Sequence, residues 1–134
     1  MQSALDSAVA RAVRSTRWKG LPGPGALLDE WAQVVQWCVE GYPMGFIEYR
    51  HDLEVRDVLG EIAAPTDETV PEDFAAFLAR LREIDDRFRA LLTPYDEVPA
   101  DRPWWRRGVP RYGDEEYVEG AAVVGLSLEL RSPD

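Results

Sequence analysis

Apolar residues in this chain recur mostly at helical spacing. From Ala26 to Tyr42, Leu27, Trp31, Val34 and Cys38 fall at i, i+4, i+7 and i+11, while Leu28, Val35, Val39 and Tyr42 widen the stripe beyond one amphipathic face. A helix that is apolar on several sides must be covered on several sides. Residues 26–42 are therefore predicted to form a central rod, with Trp31 and Trp37 supplying much of the buried area. Pro24 lies near its first turn, where a missing N–H costs nothing, and Gly41 with Pro43 ends it.

Upstream, Leu5, Ala8, Val9, Ala12 and Val13 predict a short helix within 1–20, with Arg11, Arg14, Arg17 and Lys19 toward the end where the helix dipole favours cations. Its Arg-rich, acid-poor start also has the composition of a transit peptide, which a first helix of the domain explains equally well. The connector Gly20-Leu21-Pro22-Gly23-Pro24-Gly25 breaks regular structure.

Two later stretches admit two readings. Ile47, Tyr49, His51, Leu53 and Val55 alternate with Glu48, Arg50, Asp52, Glu54 and Arg56, the period-2 pattern of a half-buried strand over 46–56. His51, Val55, Val58, Leu59 and Ile62 also share one helical face, and no convincing partner strand is near, so a helix over 49–63 is preferred. Val124, Leu126, Leu128 and Leu130 likewise alternate within 117–130. Asp114, Glu115 and Glu116 nevertheless mark a helix start, and a helix over 114–128 is expected.

The clearest helix spans 70–92. Thr69 and Glu72 resemble a capping box with Pro71 inside it, and Phe74, Phe77, Leu78, Leu81, Ile84, Phe88, Leu91 and Leu92 form a long stripe. Asp85 interrupts that stripe, four residues after Leu81 and three before Phe88. Together these elements predict an all-α, single-domain bundle of about five helices around a central Trp-rich helix. An irregular Pro/Trp/Arg-rich connection, beginning at Thr93, precedes the last helix.

Charge alters the picture in one respect. The net charge is −10, and between Asp29 and Asp73 twelve carboxylates face only Arg50 and Arg56, so one third of the chain carries an imbalance equal to the whole. Nucleic acid and anionic membranes are disfavoured as partners, whereas a basic protein is favoured. No apolar run approaches the roughly 18 to 20 residues of a spanning helix. A lone cysteine, Cys38, allows no intrachain disulfide, and a reducing cytoplasm is the expected compartment. The near absence of lysine beside abundant Arg, Ala, Val, Gly and Pro suggests a bacterial genome of high GC content.

Candidate chemistry is sparse. One Cys and one His are too few for a structural zinc site, and Glu48 with His51 is half of a di-metal helix motif, so no metal and no cofactor are expected. Cys38 sits in an apolar helix away from activating cations, and the prolines of the Gly20–Gly25 connector remove the N–H donors a phosphate would need. A buried Asp85 is costly unless paired, and Arg56 is a candidate counter-ion.

Trp104, Trp105, Arg106, Arg107 and Tyr112 are residue types enriched at interface hot spots; alternatively the tryptophans close the core and the arginines pair with the acidic segment. The leading expectation is a non-catalytic, acidic, immunity- or antitoxin-like module that masks a basic, toxin-like partner through Glu48, Asp52, Glu54, Asp57, Glu61 and the Trp-Arg stretch. The alternatives are a small enzyme using Glu48, His51, Asp52 and Asp85 between helices, which requires these groups to converge on one open pocket, and a structural protein that forms homo-oligomers through Trp104 and Trp105.

Overall fold

The computed structural model describes residues 4–14, 16, 18, 23–63, 72–95, 98–99 and 101–131. Among them are six helices, α1 (Ala4–Val13), α2 (Pro24–Glu40), α3 (Phe46–Asp52), α4 (Glu54–Ala63), α5 (Glu72–Arg89) and α6 (Glu115–Val123), a 3₁₀ turn at Trp104–Arg106, and four short strands. The fold is thus mostly helical but not all-α. Strand β1 (Leu92–Pro94) pairs antiparallel with β2 (Gly108–Pro110), and β3 (Tyr112–Gly113) pairs parallel with β4 (Glu129–Leu130).

Helix α2 runs from Pro24, in its first turn, to Gly41, whose φ of 111° suits a residue without a Cβ. It buries Leu27, Leu28, Trp31, Val34, Val35 and Cys38, and packs against α1, α4, α5 and β3. Trp31 is fully buried and Trp37 only partly so. Tyr42, expected at the end of this helix, lies beyond it in a parallel bridge to Gly113 and is still completely buried.

The alternating segment is helical, with a break that neither sequence pattern anticipates. Instead of one helix over 49–63, α3 begins at Phe46 and the chain turns at Leu53 before α4. Phe46, Tyr49 and Leu53 face inward from α3 and the turn, and Val55, Val58, Leu59 and Ile62 from α4. Leu53 and Val55 would stand roughly 200° apart on an unbroken helix, so the turn is what buries both. The N–H of Arg56 donates to the Leu53 carbonyl at 3.0 Å, tightening the joint.

Helix α5 buries Phe74, Phe77, Leu81, Ile84, Asp85 and Phe88. It ends at Arg89, short of the expected 92, because Leu92 enters β1. Of its expected capping box, Thr69 and Pro71 lie outside the described residues, as do Gly20, Leu21 and Pro22 of the Gly20–Gly25 connector. The irregular connection after Thr93 is in fact flanked by paired strands, with Thr93 opposite Val109.

Helix α6 starts as expected, with the Asp114 carboxylate accepting the N–H of Glu115 at 2.8 Å, but stops at Val123 rather than 128. Gly125 (φ 87°) terminates it. The N–H groups of Gly125 and Leu126 donate to the carbonyls of Ala122 and Ala121, each at 3.1 Å, which satisfies the helix end. The released chain then supplies β4 to β3, so a partner for the alternating C-terminal stretch exists. Helices α3 and α6 approach closely because Gly120 carries no side chain; a Cβ there would lie 2.9 Å from that of Phe46.

Behind α3 and α6, Tyr42, Tyr49, Tyr117 and Phe46 form a cluster of edge-on and tilted rings with centroids 5.6 to 6.0 Å apart. The Tyr117 hydroxyl donates to the Pro110 carbonyl at 2.7 Å, and that of Tyr42 to the Asp52 carboxylate. Burial pushes the Cys38 thiol and the Tyr42, Tyr49 and Tyr117 phenols well above their ordinary ionisation range; the negative charge of Asp52 adds to the effect at Cys38 and Tyr42.

Two outcomes are expected. Trp31→Ala should cost roughly 3 to 5 kcal/mol, read as a lowered urea midpoint, whereas an unchanged midpoint would mean that the centre of stability lies elsewhere. The four buried acids keep their protons in the fold and release them on unfolding above about pH 8.5 for the thiol and about pH 10 for the phenols. The unfolded state then binds fewer protons, so stability should fall as pH rises through that range. Tyrosine absorbance and circular dichroism recorded together should change in one alkaline transition; phenolate absorbance rising fully in a still-folded chain would contradict this.

Candidate functional site

Asp85 lies between α2 and α4, on the inner face of α5. Its two carboxylate oxygens accept from Arg56 Nε at 2.9 Å and Nη2 at 3.0 Å, and Oδ1 also accepts the indole N–H of Trp31 at 3.0 Å. Both charged side chains are about nine-tenths buried. The third guanidinium nitrogen, Nη1, has no hydrogen-bond partner among the described residues, but Arg56 lies over the ring of Trp105 at 3.8 Å and near that of Trp104 at 5.7 Å. An aromatic face here takes the place of a fifth donor's acceptor.

The Trp-Arg stretch is spent largely within the chain. Trp104 packs on Phe88 (6.3 Å) and edge-on against Trp105 (5.7 Å), with Arg89 over its ring at 4.1 Å. The Trp105 indole donates to Asp57 Oδ1 at 2.7 Å, and Arg106 binds the same carboxylate through Nε and Nη2. Gly60 makes room for this lid, since a Cβ would come within 2.8 Å of Trp105. Arg107 is exposed, and Tyr112 donates to the Val39 carbonyl at 3.3 Å beneath Arg131.

The groups named from the sequence do not form one site. Glu48 and Glu61 are exposed, Asp52 accepts from Tyr42, Asp57 is held as described, and Glu54 lies 3.7 Å from the exposed His51 imidazole. His51 and Glu54 line a shallow depression with Ile47, Arg50 and Arg106, which Asp85 does not reach. The carboxylate and histidine set of an inter-helix enzyme therefore does not converge. Cys38 is fully buried, and among the described residues no three His, Cys, Asp or Glu side chains stand close enough to hold a metal ion.

Two arrangements escaped sequence reasoning. Helices α3 and α6, side by side, bring Glu48 next to Glu116: both side chains lie within 3.5 Å of the point where a Gly45 Cβ would be, and α6 also carries the exposed Glu115 and Glu119. Arg50 of α3, Arg106 of the 3₁₀ turn and Arg102 before that turn surround a cavity of about 460 Å³ whose apolar wall includes Phe46, Leu53, Tyr95 and Val109. Both depend on pairings between distant segments. The only local hint was Gly120, a glycine inside a helix where a close neighbour is the usual reason.

No family model, no curated protein and no solved structure matches the chain. Among the described residues no helix is long and apolar enough to cross a membrane.

The Asp85 pair makes a direct prediction. Arg56→Met and Asp85→Leu should each cost about 3 to 5 kcal/mol by stranding a buried charge, and the double variant should cost less than either alone. Urea denaturation of the three proteins tests this, and losses that simply add would show that the two charges are solvated independently.

Proposed function

We propose that the protein is a non-catalytic, acidic binding module that masks a basic protein partner, in the manner of immunity and antitoxin proteins. The observation that carries this reading is the α3–α6 face. Glu48, Glu115, Glu116 and Glu119 are exposed there and form no ion pair with any described residue. Carboxylates crowded in this way repel one another, and a cationic surface laid across them relieves the repulsion. The same two helices expose Ile47 and Val123, at 69% and 86%, as apolar surface. Those residues take the place of Trp104 and Trp105, whose rings are engaged inside the chain.

In this reading the helices form a bundle around α2 that acts as a rigid support, and the charge of −10 accelerates encounter with the partner. A reducing bacterial cytoplasm suits a domain whose one thiol is buried.

Immobilised protein should retain a basic protein from source-cell extract at low ionic strength, less at about 0.15 M salt, and lose it on the double change Glu48→Lys and Glu116→Lys. Both positions are exposed, so the variant should stay folded by circular dichroism. Retention of no basic protein at either salt, or equal retention by the variant, would overturn the reading.

A further inference from the structure

We infer that the cavity between α3, the 3₁₀ turn and β2 is a binding site for a small organic carboxylate with an apolar, ring-sized body. This stands apart from the acidic-face reading, since it concerns another surface and the opposite charge. The cavity measures about 460 Å³, within the size range of small-molecule sites.

Its charge is the first argument. Among the described lining residues, three guanidiniums, from Arg50, Arg102 and Arg106, stand against one carboxylate, Asp57. Asp57 is already taken: it binds Arg106 through two bonds and the Trp105 indole through a third. Arg50 and Arg102 form no ion pair with any described residue, although the chain as a whole carries −10. Two cations without an ion pair among the described residues, at one cavity, favour an anion there. A planar carboxylate offers the two oxygens that guanidinium forks match.

Burial gives the ligand a direction. Arg50 and Arg102 are exposed and so stand at the mouth, whereas Leu53, Tyr49 and Val109 are buried and form the floor. Phe46 and Tyr95 meet edge-on at 6.4 Å in the wall. A fully hydrated ion such as inorganic phosphate gains nothing from this chamber, while an aryl or branched aliphatic body fills it. Tyr49 also carries a buried hydroxyl that has no hydrogen-bond partner among the described residues, so the floor holds an unused polar group.

Titration calorimetry of the full chain with three probes tests the assignment: 3-phenylpropionate, its neutral analogue 3-phenylpropan-1-ol, and acetate. The phenylpropionate should saturate the protein, and the alcohol and acetate should each bind at least about tenfold more weakly, because one lacks the charge and the other the body. Replacing Arg50 and Arg102 by Gln should weaken phenylpropionate binding by about tenfold and leave the alcohol unaffected, with the melting curve unchanged because both side chains are exposed. Val98→Trp, at a half-buried wall position, should block both phenyl probes. Absence of saturation by phenylpropionate, equal affinity for the alcohol, or wild-type binding by either variant would overturn the proposal.

Discussion

A single carboxylate, that of Asp85, joins three helices. It receives Trp31 from α2 and Arg56 from α4 while projecting from α5, so the relative rotation of all three is tied to one group. Hydrophobic packing alone leaves helices free to slide by a turn at modest cost; a buried charge with fixed donors does not. The constraint continues outward. Because Arg56 must be covered, Trp104 and Trp105 close over it, and because Trp105 must satisfy its N–H, Asp57 is drawn in and brings Arg106 with it. The wall of the basic cavity therefore derives its position from a charge buried in the core.

How much of this was legible depends on whether the cause is local. The central helix, the long amphipathic helix and the need of Asp85 for a counter-ion follow from spacing and desolvation, both of which act within a few turns of chain. The break at Leu53 does not, because it arises where two inward-facing stripes on one helical segment need different rotations. The early end of α6 was readable at Gly125, a helix-stopping glycine, yet alternating Val124 to Leu130 allowed helix or strand until β3 supplied a partner. The acidic α3–α6 face and the arginine cavity were the least legible. Each is assembled from segments far apart in sequence, and no periodicity in one segment records the charge on another.

Charge is sorted by location rather than averaged. Acids dominate the exposed helices and set the long-range field, which falls away within a Debye length of about 8 Å at physiological ionic strength. Several arginines act at short range: Arg56 and Arg89 lie over tryptophan rings, and Arg50, Arg102 and Arg106 line a cavity. The proposed binding module draws on the acidic helices, and the proposed carboxylate site on the arginines.

The joint after α2 ties the central helix to the C-terminal strands. Gly41 lies against the backbone of Arg131, whose N–H donates to the Gly113 carbonyl at 2.7 Å, and Tyr42 bridges to Gly113. These contacts join the end of α2 to two C-terminal segments about 70 and 90 residues further on, and closing loops of that length is costly in chain entropy. The β3–β4 seam itself is short, with two residues in each strand. In native-state hydrogen exchange its amides should belong to a low-energy opening unit, distinct from the slow-exchanging helices around Asp85.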